Sequence, residues 1–103
     1  MSMSTSLKTL IVDDEAGIRN VLGIVLEEMG YAVRTAPDAE EALARMAEKP
    51  SQILITDIKM PGRDGIDLLK AVKADWPDTE VIMLTGHGDV DLAIRSLKYE
   101  AID

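Results

Sequence analysis

Cysteine is absent from the 103 residues and histidine occurs once. Without thiols there can be no disulfide, no thiolate zinc site and no dithiol redox chemistry. Long apolar runs are also missing, and the longest falls far short of the ~18 residues that cross a bilayer. Basic residues are scarce, with eleven Lys and Arg against nineteen Asp and Glu, for a formal net charge of −8. Such a surface repels phosphate backbones, so direct nucleic-acid binding is not expected, whereas divalent cations and basic partners are attracted. Three catalytic signatures are absent too: the G-x-x-x-x-G-K-[ST] phosphate loop, the G-x-G-x-x-G dinucleotide fingerprint and the H-E-x-x-H zinc helix.

What remains is the composition of one folded domain, 47% hydrophobic and 29% charged, which argues against disorder. Residues 1–6 are serine-rich without an apolar centre, so they read as a flexible N-terminal segment and not as a secretory signal. Residues 7–103 read as a single domain. Its pattern is alternation. Leu7 to Val12 is a short apolar run that stops at Asp13-Asp14, as a buried strand does. Ile18, Val21, Leu22, Val25, Leu26 and Met29 then recur at helical spacing, and Gly30 follows as a left-handed cap. A second strand is expected over Tyr31 to Ala36. Asp38, with Glu41 three residues later, starts a helix whose inner face holds Ala42, Leu43 and Met46, and Pro50 ends it. Gln52 to Thr56 is a third strand, terminated by Asp57. After a Pro61-Gly62 loop, Asp64 caps a helix with Ile66, Leu69 and Val72 inward, closed by Trp76-Pro77. Glu80 to Leu84 is a fourth strand ending at Thr85, and Asp89 caps a fourth helix.

Strands alternating with helices imply an α/β fold, a doubly wound parallel sheet with right-handed crossovers. In the flavodoxin-like strand order 2-1-3-4-5, strands one and three flank the point where the order reverses, and ligands bind beyond the carboxyl ends there. The polar residues of this chain collect at that edge: Asp13 and Asp14 after the first strand, Asp57 after the third, Thr85 after the fourth. Three carboxylates crowded together raise one another's pKa, a conflict that a hard divalent cation resolves. Oxygen-only ligands favour Mg²⁺ over zinc, and Mg²⁺ keeps waters that a phosphoryl oxygen can replace. The site is therefore suited to bringing a phosphoryl group against an aspartate. Asp57 is a candidate nucleophile that would form an acyl phosphate, and Thr85 can offer a hydroxyl to a phosphoryl oxygen.

Val12-Asp13-Asp14-Glu15, Asp57-Ile58-Lys59-Met60-Pro61 with Asp64-Gly65, and Leu84-Thr85-Gly86 together resemble the receiver domain of two-component response regulators. The resemblance covers nearly the whole chain, with 43 residues from Asp14 to Asp57 and 28 from Asp57 to Thr85. It implies that Asp57 is the phosphoacceptor, taking its phosphoryl group from a phosphohistidine on a sensor kinase or phosphotransfer protein. Asp14 and Asp57 would ligate Mg²⁺ directly, Asp13 mainly through water, and the backbone carbonyl of Lys59 would complete the protein ligands. Thr85 would be the switch hydroxyl and Gly86 the small residue that keeps the pocket open. Lys59 and His87 would occupy the flanking positions that tune the lifetime of the acyl phosphate. The resemblance further implies a cytoplasmic signalling domain, not an enzyme acting on a separate substrate, with a transcriptional effector as output. A second copy is a further implied partner, through the fourth-helix face, and no membrane or nucleic acid is.

One departure accompanies the resemblance. The family carries a fifth strand with an aromatic switch residue and, three residues on, a lysine that pairs with the phosphoryl group. Ala101-Ile102-Asp103 corresponds to the start of that strand, and no residue here matches the aromatic or the lysine. The fifth strand and fifth helix are therefore expected to be largely missing from this chain, leaving the receiver incomplete at its C-terminus. Rival readings fit less well. His87 lies between two glycines in a loop, whereas a histidine phosphotransfer domain presents its histidine on a helical bundle. An aspartyl phosphatase of the haloacid-dehalogenase type wants a second aspartate two residues after the first, where Lys59 stands. A calcium loop is excluded by Lys59 and Pro61 at ligand positions. The alternative that survives is a receiver-like docking or dimerisation module that is never phosphorylated.

Overall fold

The computed structural model describes residues 7–60 and 62–84. Seven elements alternate along them: β1 (Lys8–Val12), α1 (Ala16–Glu28), β2 (Ala32–Ala36), α2 (Ala39–Glu48), β3 (Ile53–Asp57), α3 (Gly65–Asp75) and β4 (Glu80–Leu84). The strands form one parallel sheet in the order β2-β1-β3-β4. That is the expected doubly wound arrangement, with the order reversing between β1 and β3. The fourth helix expected from Asp89 and the fifth strand lie outside the described residues, as do residues 1–6.

The two central strands are the most apolar because helices cover both of their faces. Leu10, Val12 and Leu54 point to one side, where they pack with Ala42 and Met46 of α2 and Leu68 and Val72 of α3. Ile11, Ile53 and Ile55 point to the other, against Leu22 and Leu26 of α1. Successive strand residues face opposite ways, so a strand buried on both sides reads as a continuous apolar run. β2 shows the contrast, since only Ala36 of its five residues is buried.

Helix ends are built from the capping residues foreseen in the sequence. Asp38 and Asp64 accept hydrogen bonds from the backbone N–H of Glu41 (2.8 Å) and Asp67 (2.9 Å). Each satisfies an amide with no partner inside the helix. α1 closes in a Schellman motif: Gly30 takes φ of 99°, its N–H donates to Glu27 O, and that of Tyr31 donates to Leu26 O, both at 3.0 Å. Buried Tyr31 belongs to the same apolar cluster as Leu26, which ties the turn to the core.

The helix faces differ from expectation at three residues. Val21 of α1 is 56% exposed and Ile66 of α3 is 44% exposed, while Leu68 and not Leu69 joins Val72 as a fully buried side chain of α3. Three or four apolar residues per two turns define a stripe only to within one position. Contact with the sheet selects the edge that is buried. Three strands, β1, β2 and β3, also start one residue later than expected, and β3 ends one later, so that Asp57 is its last member and not the residue after it. Its pairing with Leu84 extends the β3–β4 ladder that far.

Truncating the two side chains of α3 separates these faces. Leu68→Ala is expected to cost ~2–5 kcal/mol in urea unfolding, and Ile66→Ala under about 1 kcal/mol, because only the first opens a cavity. Equal losses would place Ile66 in the core.

Candidate metal centre

β1 and β3 run side by side with Val12 opposite Thr56. One step further along that parallel register, Asp13 stands beside Asp57. Asp14 follows in the loop, and carboxylate oxygens of Asp13, Asp14 and Asp57 all lie within 4.8 Å of one another. Asp13 is buried at 2% exposure, Asp57 is half-buried and Asp14 is exposed. The trio thus forms a pocket with a closed floor and an open mouth.

Backbone hydrogen bonds fix both contributing segments. Asp13 N–H donates to Ala36 O (3.2 Å), which carries the β1–β2 ladder past the strand end. Glu15 N–H donates to Asp13 Oδ1 (2.9 Å), an Asx turn that aims the carboxylate along the loop. On the β3 side, Ile58 N–H donates to Leu84 O (3.1 Å) and the Thr56 hydroxyl to Asp57 O (3.0 Å). Gly65 N–H donates to Ile58 O (2.8 Å), so the first residue of α3 is drawn onto the peptide that follows Asp57. A Cβ on Gly65 would meet Asp57 O at 2.3 Å and Ile58 Cα at 2.9 Å. No other residue allows this approach.

Burial is the main cause that raises the Asp13 carboxyl above its ordinary value of 3.8. The Glu15 N–H opposes it, and the charges of Asp57, Asp14 and Glu15 add to the rise. The donors are all carboxylate oxygens, two of them reachable from solvent, and a hard cation relieves both their repulsion and the cost of burying Asp13. The residues therefore fit Mg²⁺ better than a soft or thiophilic metal.

Of the residues singled out in the sequence, the fold brings together Asp13, Asp14 and Asp57. Lys59 lies two residues beyond Asp57 with its side chain exposed. With Ile58, Met60, Gly62 and Asp64 it lines an open cavity of about 540 Å³ in the loop between β3 and α3. Thr85, Gly86 and His87 lie outside the described residues. Two contributors went unseen in the sequence. Gly65 enters the sequence reading only beside Asp64 in the receiver-like pattern, with no sign of its contact with Asp57. Arg19, whose guanidinium donates to Asp13 O (2.5 Å), has no part in the sequence reading.

A model of the response regulator receiver domain family matches residues 9–103. Nitrogen assimilation regulatory protein NtrX of Azorhizobium caulinodans is 40% identical over 96 residues, covering 91% of this chain and 21% of that protein. Transcriptional regulatory protein FixJ of Bradyrhizobium diazoefficiens is 36% identical over 101 residues, covering 98% of this chain and 49% of that protein. This chain thus spans between about a fifth and a half of the length of these curated relatives. Among solved structures, a response regulator receiver domain protein from Clostridium thermocellum superposes with a TM-score of 0.74 at 40% identity, covering 90% of this chain and 75% of that one.

Two changes test the geometry. Because the Asp13 pKa is raised by folding, the native state binds this proton more tightly than the unfolded chain. The stability linked to that proton is present below pH 3.8 and is lost as pH rises from there through the raised value. Without divalent cations, Asp13→Asn should therefore melt above the parent at pH 7, the gap closing toward pH 3.8. A gap that widens on acidification contradicts the assignment. In Gly65→Ala, helix propensity favours alanine by ~1 kcal/mol, but overpacking against rigid backbone costs ~1–3 kcal/mol. The variant should unfold at lower urea, and a more stable variant would mean the approach to Asp57 is not close.

Proposed function

The chain belongs to the response regulator receiver domain family, and from that premise we propose that it is a phosphoacceptor switch whose acceptor is Asp57. The observation that carries this reading is the convergence of the Asp13, Asp14 and Asp57 carboxylates at the reversal point of the sheet. Receiver domains generally bind Mg²⁺ through such an acidic pocket. Here Asp14 and Asp57 would hold the ion, with Asp13 acting mainly through water and the Lys59 carbonyl completing the protein ligands. When bound, the cation supplies charge neutralisation between carboxylates and an incoming phosphoryl group.

The chain's own residues do the rest. A carboxylate oxygen of Asp57 attacks phosphorus in a phosphohistidine, the new O–P bond forms as the P–N bond breaks, and the electron pair leaves with the imidazole. The last residue of a paired strand is a suitable nucleophile, because its backbone cannot recoil. Asp13 and Asp14 keep the pocket negative and so select a cation before any phosphoryl group enters. Hydrolysis of the Asp57 acyl phosphate by water returns the resting carboxylate. Thr85 would hydrogen-bond the phosphoryl oxygens and draw its loop and the fourth helix toward the site, biasing a two-state element that a partner reads. Gly86 and His87 would set access and lifetime at the pocket mouth.

Receiver domains of response regulators interact with sensor kinases and often dimerise. For this chain the donor would be a sensor histidine kinase or a phosphotransfer protein, and the output transcriptional, as the name of the FixJ relative suggests. Among the described residues no helix is long and apolar enough to cross a membrane, and a cytoplasmic location is consistent with this reading.

Intact mass after incubation with a small-molecule phosphodonor tests the proposal. One phosphoryl adduct is expected with Mg²⁺, none with chelator and none in Asp57→Asn. An adduct that persists in Asp57→Asn moves the acceptor elsewhere. No adduct in the parent chain would instead favour a docking module that is never phosphorylated.

A further inference from the structure

Arg19 is the fourth residue of α1, half-buried, and its guanidinium reaches back to the loop at the head of the helix. Its Nη1 donates to the backbone oxygen of Asp13 at 2.5 Å. That oxygen belongs to the peptide unit joining Asp13 to Asp14. A peptide unit is planar, so fixing its oxygen, with the Asp13 N–H already tied to Ala36 O, fixes the orientation of the plane on which both Cα atoms sit. The two side chains leave that plane in different directions, one buried and one exposed. Both nonetheless bring an oxygen within 4.8 Å of Asp57. The Glu15 N–H sets the Asp13 carboxylate, but nothing else described in this loop acts on the Asp13 carbonyl from a neighbouring element.

We propose that Arg19 is a positioning residue for the divalent-cation pocket, holding the Asp13–Asp14 peptide plane so that both carboxylates converge on Asp57. This rests on the reading of the acidic trio as a cation site. A charged guanidinium suits the task because a charge-assisted bond to a carbonyl is short and strong, and the donor fork resists rotation. Partners of this outer kind, which orient the groups that touch a metal, typically change its affinity by about 10–100-fold when removed.

Three roles for Arg19 differ in sign. As a mere cation beside an acidic pocket it competes with Mg²⁺, so its removal tightens binding. As a purely structural anchor, its removal lowers the melting temperature and leaves the affinity of the folded molecules unchanged. As a positioning residue, its removal weakens Mg²⁺ binding.

The test is MgCl₂ titration by calorimetry of the parent chain, Arg19→Met, Arg19→Lys and Asp57→Asn, with melting temperatures recorded in chelator. Methionine keeps the aliphatic packing without a donor, and lysine restores a donor. Expected are Mg²⁺ affinity roughly 10-fold weaker in Arg19→Met and within about threefold of the parent in Arg19→Lys. Unchanged or tighter binding in Arg19→Met overturns the proposal, as does an equal loss in Arg19→Lys. If Arg19→Met does not fold, the NMR coupling across the hydrogen bond from the Arg19 guanidinium nitrogen to the Asp13 carbonyl carbon decides in the parent chain. A coupling that strengthens on adding Mg²⁺ supports the role, and its absence or indifference to Mg²⁺ overturns it, because a purely structural anchor does not respond to the ion. A parent chain whose Mg²⁺ response survives in Asp57→Asn sinks the cation site itself, a result distinct from failure of Arg19 alone.

Discussion

Parallel pairing of β1 with β3 is the constraint on which the rest of the molecule depends. With Val12 opposite Thr56, the next residue along each segment is an aspartate, Asp57 held by its pairing with Leu84 and Asp13 by its N–H on Ala36 O. Parallel strands end at the same edge of a sheet, so their polar terminators collect on one side. The register thus forces like charges together where solvent and ligand can still reach them. A slip of one residue would send Asp57 to the opposite face and disperse the trio.

The surroundings manage the resulting tension. Asp13 is buried and raised in pKa, an unfavourable state in the absence of a counter-charge. The loop is held by Ala36 O behind, the Glu15 N–H on the carboxylate and the Arg19 guanidinium on the carbonyl. Across the pocket, α3 presses its first residue onto Asp57, a contact closed to any side chain larger than hydrogen. Two apolar layers keep these anchors rigid, α1 on one side and α2 with α3 on the other. Stability and function pull in opposite directions at Asp13, as they commonly do where a fold stores charge for a ligand.

Much of this was visible in the chain itself. Apolar runs closed by aspartates mark β1 and β3, and Asp38, Asp64 and Gly30 mark helix ends at the residues where the structure has them. The acidic trio was foreseen because strand order, once inferred, brings Asp13 and Asp57 to one edge. Val21, Ile66 and Leu69 were less predictable, since helical periodicity leaves the edge of a stripe open until the sheet surface selects it. Arg19 has no distinctive local signature, and Gly65 stands in the receiver-like pattern without any sign of its close approach to Asp57. Their contacts join segments separated by a loop or an element, and only their distances reveal them.

Sequence alone determined what depends on local chemistry and on alternation. It settled the α/β pattern, the capping residues, the oxygen-only character of the acid cluster and the resemblance to receiver domains. Tertiary structure decided what depends on register and close approach. It set which side of each helix is buried and how deeply Asp13 is buried. It also drew Gly65 against Asp57 and led Arg19 back to the Asp13 carbonyl. Local preferences are properties of neighbouring residues, whereas burial and close contact exist only once distant segments share a surface.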